Sequence, residues 1–408
     1  MKLAKNDENK LNLLYFFFYV PILKHIMRPA QFVKYVNIKV FIYFLIAVTA
    51  LYTLVFTCYY NFKDDGYILA DWLINYQDGG FKRRGLSGSF FFLVQDLTGL
   101  SLNYIVYFFQ FIIISGFFWL YAKLIRYKMT DLLYLSLLLS SIGFVGLLNT
   151  VTYVGKKEFI VFLLFTWFTY LLDKGKLTRY REYIFCAALF VTTLLHEVVL
   201  FYVPYFAIAL YLKTGKFEYK RYLKYFLSVG IPTLLILLLG KNVNEGMSLQ
   251  ILANRGVHPV YGIFYWNINE RDYIIEHKSE YVLYLISLLF SIFHLGYYLK
   301  FLNNRKVLSI LLIGAFLFSL PLFYLAIDWG RWMYIHMMMM IVLFALLLKE
   351  SRSAYGFERI VINKKFYITL AIIIFSLIYR VEMSGKGFTF QGILYRVCIA
   401  PLELLNKM

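Results

Sequence analysis

Three features of the sequence predict an all-α, polytopic integral-membrane fold. The 408 residues are 61% hydrophobic and 21% aromatic, with a mean hydropathy of +0.66, whereas soluble domains are nearer ~45–50% apolar. Apolar stretches recur at close to the ~20 residues needed to cross a bilayer as a helix. Runs such as 105–120 and 307–326 show no alternation of apolar and polar residues, which excludes a closed β-barrel of ~10-residue strands. About 11–12 membrane helices are expected, in one membrane domain.

Taken in order, the N-terminal segment 1–37 holds an apolar run, 11–23, followed by no small-residue cleavage site. It reads as an interfacial cytoplasmic helix and not as a signal peptide. The membrane domain, 38–388, offers spans near 38–59, 103–122, 132–150, 157–172, 225–240, 281–300, 307–326, 332–348 and 366–379. Residues 86–97 are too short to cross and read as a re-entrant or interfacial helix. Residues 183–212 are too long for one ordinary span and carry His196-Glu197 at their middle. Two outer loops, 60–85 and 241–280, and an amphipathic C-terminal tail, 389–408, complete the chain. Cys58, Cys186 and Cys398 lie in or beside apolar segments without CxxC spacing, so no disulfide framework is expected.

Charge decides how 183–212 folds. If it forms two short helices with His196-Glu197 at the turn, loops 1–39, 123–131, 173–182, 213–224, 300–306 and 349–365 share one side. They hold 27 of the 42 Lys and Arg and 8 of the 23 acidic residues, a net of +19. The other side, 60–85, 151–158, 196–197, 241–280, 327–331 and 380–388, holds 13 of each and is neutral. A single span would invert every later loop and destroy this asymmetry. The positive-inside rule therefore selects two helices, a cytoplasmic N-terminus and an outer face that collects the chemical-looking clusters. The formal charge of +19 is then a topology signal and not a nucleic-acid footprint.

Four outer clusters stand out. In DGGFKRRGLSG, residues 78–88, Lys82, Arg83 and Arg84 precede a short helix, where backbone N–H groups and guanidinium forks suit phosphate; an interfacial basic patch neutralised by nearby aspartates is the plainer alternative. Lys156 and Lys157 precede Glu158 in GKKE, which also reads as dipole complementation by Glu158. His196-Glu197 is an ionisable pair between apolar helices, a functional hypothesis by default, with either a structural pair or a general base in view; HEVVL lacks the HExxH zinc pattern. Asp328 and Arg331 lie between Trp329 and Trp332, as an aromatic-belt anchor or as a place where a Trp stacks on sugar and Arg331 holds phosphate. Loop 241–280, with Tyr265 and Trp266, suits carbohydrate and would act as a lid. Asp65, beside Asp64, is a further candidate base; that pair is also the one conceivable cation ligand, although no metal or cofactor is expected.

Together these features suit a polyprenyl-linked sugar, whose phosphate lies at headgroup level while its tail stays in the bilayer. Size, the run of membrane segments and the motifs GGFKRRG, GKKE, HE and DWGR resemble the Wzy-type polymerases of bacterial O-antigen and capsule clusters. That resemblance implies a multi-pass protein of the bacterial inner membrane that joins undecaprenyl-diphosphate-linked repeat units on the periplasmic face. Glu197, assisted by His196, or Asp65 would activate the acceptor, Lys82, Arg83, Arg84, Lys156, Lys157 and Arg331 would hold phosphate, and Trp266, Tyr265, Trp329 and Asp328 would hold sugar. Asp64-Asp65-Gly66-Tyr67 is similar to the acidic first-loop motif of GT-C glycosyltransferases, which use single polyprenyl-phosphate sugars, although their large C-terminal outer domain is absent. A flippase for lipid-linked glycan is the reading from another class. Expected partners are the lipid-linked glycan, membrane lipid and other polysaccharide-assembly membrane proteins, with no nucleic acid.

Overall fold

The computed structural model describes residues 37–63, 68–260, 262–265, 269–384 and 387–399. Asp64, Asp65, Trp266, most of the N-terminal segment and residues 400–408 of the tail lie outside them. Among the described residues are seventeen α-helices: α1 Ile38–Phe62, α2 Leu69–Trp72, α3 Gly85–Thr98, α4 Leu102–Ile125, α5 Leu132–Leu138, α6 Phe144–Asn149, α7 Glu158–Asp173, α8 Arg179–Leu195, α9 Val199–Tyr202, α10 Pro204–Thr214, α11 Tyr219–Leu239, α12 Glu245–Asn254, α13 Glu270–Glu276, α14 Lys278–Leu299, α15 Arg305–Leu325, α16 Trp329–Leu347 and α17 Lys364–Ile378. A two-stranded antiparallel hairpin, β1 Arg380–Val381 and β2 Phe388–Thr389, follows α17, with Arg380 opposite Thr389.

The chain is a multi-pass membrane protein. Six helices, α1, α4, α11, α14, α15 and α16, are long and apolar enough to cross a bilayer. The others are shorter: α7 has 16 residues, and at ~1.5 Å per residue it covers ~24 Å of a ~30 Å hydrocarbon core. Helix α16 is unlike the other five. Its apolar window is 94% buried, against 28–44% in the rest, so it is enclosed by protein where they face lipid. It packs against α7, α10, α15 and α4. Its His336 is satisfied on both ring nitrogens, by the Tyr205 hydroxyl (2.8 Å) and Ser319 Oγ (2.7 Å), and is a structural histidine.

The expected span 132–150 is not one helix. It breaks between α5 and α6, where the Gly143 N–H bonds Ser140 O (2.8 Å) in a tight turn. The long segment 183–212 divides as its charge pattern predicts. Thr192 and Thr193 return their hydroxyls to the carbonyls of Ala188 and Leu189 (2.7 and 2.8 Å). His196 is extended, with φ −161°, and Pro204 opens α10 at a position that needs no N–H. Helix α3 matches the short interfacial element. Arg84 at its start pairs with the 196–197 turn, and Asp96 near its end pairs with Arg255 of the loop 241–280 (2.8 Å). Asn103, just beyond it, bonds Asn61 O at the end of α1 (2.7 Å). Both ends of α3 therefore stay at one end of the bundle. The loop 241–280 is not irregular: α12, a 3-10 turn and α13 fold within it.

Contacts sort the loops into the same two groups as charge does. At one end, Lys39 Nζ caps the carbonyls of Arg126 and Lys128 (2.9 and 2.5 Å). Lys128 reaches Asp173 (2.6 Å), Lys365 reaches Asp131 (3.1 Å), and Lys365 also lies over the Phe301 ring (4.7 Å). At the other end, Lys241 N bonds Phe81 O (2.9 Å), Tyr281 bonds Ile327 O (2.8 Å) and Thr150 bonds Val381 O (3.1 Å).

Candidate functional site

The second end holds a buried ionic network drawn from five separate segments. Helix α2 supplies Asp71, the approach to α3 supplies Arg83 and Arg84, and the turn leading into α7 supplies Lys156, Lys157 and Glu158. The turn after α8 gives His196 and Glu197, and the start of α16 gives Asp328 and Arg331. Arg84 donates Nε and Nη2 to the two oxygens of Glu197 (3.2 and 3.0 Å) and Nη1 to Asp71 (3.2 Å). Arg83 Nε reaches the same Glu197 (3.3 Å). His196 Nε2 lies 3.0 Å from Glu158 Oε1. Arg331 donates Nε to that oxygen (2.5 Å) and Nη1 to Asp328 (3.1 Å). Five cations and four carboxylates leave a surplus of one positive charge.

Local backbone explains the placement. Arg84 is one of two non-glycine residues at positive φ among the described residues, at φ 64° and ψ 3°. This left-handed N-cap, a conformation that costs a non-glycine residue free energy, swings the guanidinium back toward Asp71 and Glu197. Gly155, at φ 66°, leaves no room for a Cβ beside Ile68 and Thr57. Its carbonyl accepts from Trp72 Nε1 and Gln110 Nε2 (2.8 Å each), locking the Lys156-Lys157 turn to α2 and α4. Lys157 then donates to Ser87 on α3 (3.0 Å). Gly330 sits against the Glu382 carbonyl, where a side chain would collide, so the start of α16 is pressed onto the hairpin.

The network is most open at Arg83. The Arg83 side chain is 56% exposed and that of Glu197 20%, whereas Arg84 is 11% and His196 0%. Burial pushes the Glu197 carboxyl upward, but Arg84 and Arg83 outweigh it and hold the group well below the usual range. Asp71 is likewise held down, with burial overcome by Lys157, Arg84 and Lys156. Burial pulls Lys157, just ahead of α7, down to about 8. Three buried polar atoms of the network have no hydrogen-bond partner: Asp71 Oδ2, Glu158 Oε2 and His196 Nδ1.

Arg83, Arg84, Lys156, Lys157, His196, Glu197, Asp328 and Arg331 thus meet in one region, a convergence that their placement on one face left open. Lys82 does not. It turns away from its two arginine neighbours, is buried, and pairs with Asp78, which also accepts from Ser248; it is a structural cation that ties α12 to the 78–84 turn. Trp329 donates its indole N–H to Phe323 O (2.7 Å) and packs on Tyr281 and Phe323, as an anchor does. Tyr265 bonds Pro259 O (2.8 Å) within its own loop. Asp65 and Trp266 lie outside the described residues. Asp71 and Glu158 are members that sequence reasoning did not single out. Glu158 passes as a helix-dipole charge, and Asp71 as one of four loop aspartates. The available signal is that each carboxylate adjoins an apolar run, where a charge needs a partner. No group of histidine, cysteine and carboxylate side chains suited to a metal occurs among the described residues. A cavity of about 180 Å³ lined by Asp131, Glu358, Asn363 and Lys365 lies at the opposite end and shares no residue with the network.

No protein-family model, curated protein or solved structure matches the chain.

Proposed function

We propose that this protein transfers glycosyl groups at the outer, periplasmic face of a bacterial inner membrane, polymerising polyprenyl-diphosphate-linked repeat units of a surface polysaccharide. The observation that carries the reading is the convergence of GGFKRRG, GKKE, HE and DWGR, far apart in the chain, on one buried network with a cationic surplus. Its edge opens at Arg83. A diphosphate arriving there meets a half-exposed guanidinium first and the Arg84 fork behind it, with Lys156 and Lys157 beneath. Two close guanidiniums and two ammonium groups match the charge that develops on a departing diphosphate.

In this reading the Glu197 carboxylate occupies the seat that the diphosphate takes, and substrate binding exchanges one anion for the other on the arginines. Arg331, engaged by Glu158 and Asp328, shapes the seat from behind. The test is complementation of a deletion strain with Arg84→Ala or Glu197→Ala. Both variants are expected in the membrane at wild-type amount but without long polymer, leaving a single repeat unit on the carrier lipid. Wild-type chain length in both variants would sink the assignment. An unmodified acceptor in place of a single repeat unit would make the protein a single-sugar transferase, and glycan retained in the inner leaflet would make it a flippase.

A further inference from the structure

The network contains an imidazole whose two nitrogens are in unlike surroundings. His196 Nε2 faces Glu158 Oε1 at 3.0 Å, and that oxygen also takes the Arg331 Nε–H. A carboxylate oxygen only accepts, so the ring proton on this side belongs on Nε2. With the proton on Nδ1 instead, the Nε2 lone pair would point at the carboxylate lone pairs at 3.0 Å. Arg331 Nη2 stands farther off, at 3.3 Å. Nδ1 is buried and without a hydrogen-bond partner; Glu197 Oε2 is 3.8 Å away, beyond hydrogen-bond reach. The neutral ring therefore presents a bare lone pair toward the Glu197 side of the network.

Glu197 looks like the obvious base, yet Arg84 clasps both of its oxygens and Arg83 adds a third contact. A carboxylate so held is a poor proton acceptor.

We propose that His196, through Nδ1, takes the proton of the acceptor hydroxyl, with Glu158 as the positioning residue that fixes the tautomer. This rests on the glycosyl-transfer reading above. The acceptor oxygen forms its bond to the anomeric carbon as that carbon's bond to the diphosphate oxygen breaks. The electron pair leaves on the diphosphate, which Arg83 and Arg84 hold. The proton moves to Nδ1, and the imidazolium lies between the Glu158 and Glu197 carboxylates until it returns the proton to solvent at the Arg83 edge. Such a step is worth ~10²–10⁴-fold in rate.

Charged groups face the ring from three other elements. Glu158 comes from α7, Arg331 and Asp328 from the start of α16, and Arg84 with Arg83 from the approach to α3 acts through Glu197. A diphosphate that draws the arginines from Glu197 leaves this carboxylate free to stabilise the imidazolium.

The experiment is a ¹⁵N-histidine NMR titration of the full chain in micelles, with His196 assigned by difference against His196→Gln and inorganic pyrophosphate as the probe. The expected result is a neutral ring protonated on Nε2, with its titration moved to higher pH by pyrophosphate. Glu158→Gln, which keeps the shape and removes the charge, should move the titration to lower pH. A ring protonated on Nδ1, or an imidazolium that persists across the titration, overturns the inference whatever the substrate. A correct tautomer that pyrophosphate leaves untouched, at concentrations that saturate binding elsewhere on the protein, overturns the anion reading and with it the proton role.

Discussion

The two ends of this bundle are both rich in charge, and they use it differently. At the basic end each buried acid is surrounded by cations. Asp173 has Lys128, Lys174 and Lys213 within 3.8 Å, and Glu182 has Arg221 and Lys224. Lys39 closes two backbone carbonyls. Those contacts are staples between neighbouring loops. At the other end carboxylate and guanidinium alternate on both sides of the buried His196: Asp71, Arg84 and Glu197 on one, Glu158, Arg331 and Asp328 on the other. Each of these arginines holds two carboxylates, so removing it strips both of a partner. The lesson is that density of charge does not mark a site; alternation and burial do.

The sharpest way to break this comparison is Arg331→Met. It strips Glu158 and Asp328 of their partner at a position where both ionic side chains of the main pair are buried. A loss of ~3–5 kcal/mol is expected, read as a fall in thermal unfolding temperature in micelles. The double variant Glu158→Gln with Arg331→Met should recover most of it, because removing both charges also removes the desolvation cost. Equal losses in single and double variants would deny the alternating arrangement.

A second, smaller effect follows from pH. Lys157, pulled down to about 8 mainly by burial, is cationic below that value and neutral above it. Affinity for inorganic pyrophosphate, measured by calorimetry, should therefore fall as pH rises through about 8. Lys157→Arg, which keeps its charge across that range, should flatten this part of the profile; an unchanged slope would remove Lys157 from the anion seat. Smallest of all is Lys365→Ala at the stapled end. Its ion pair with Asp131 is partly exposed on both sides, so the change is worth ~0–1 kcal/mol, and a loss as large as that of Arg331→Met would erase the distinction between the ends.

Much of this was legible in the residues. The turn at His196-Glu197 could be read because loop charge depends on the side of the membrane, and only a hairpin keeps the basic loops together. The grouping of GGFKRRG, GKKE, HE and DWGR at one end followed from the same count. The fate of Lys82 could not be read. Three adjacent cations look equivalent in sequence, but the left-handed backbone at Arg84 sends two of them to Glu197 while Lys82 turns to Asp78. The break between α5 and α6 is also silent in hydropathy, because a buried turn whose backbone groups bond within it can be as apolar as a helix. Glu158 was hidden for a further reason. A carboxylate in a first helical turn satisfies the dipole, and its bridge from His196 to Arg331 depends on segments 38 and 173 residues away.

Helix α16 carries a consequence of timing. It has the hydropathy of an ordinary membrane span, yet nearly all of its surface is covered by other helices. Most of its neighbours, α4, α7 and α10 among them, precede it in the chain and are made first. During synthesis the earlier helices must leave a slot, and lipid must be displaced from it when residues 329–347 enter. The Arg331 end arrives in that same event, so Glu158 waits for its arginine until late in assembly. Biogenesis is then ordered: the ionic network closes only once α16 has entered, and a chain stalled before α16 has the motifs GGFKRRG, GKKE and HE in the bilayer but no completed site.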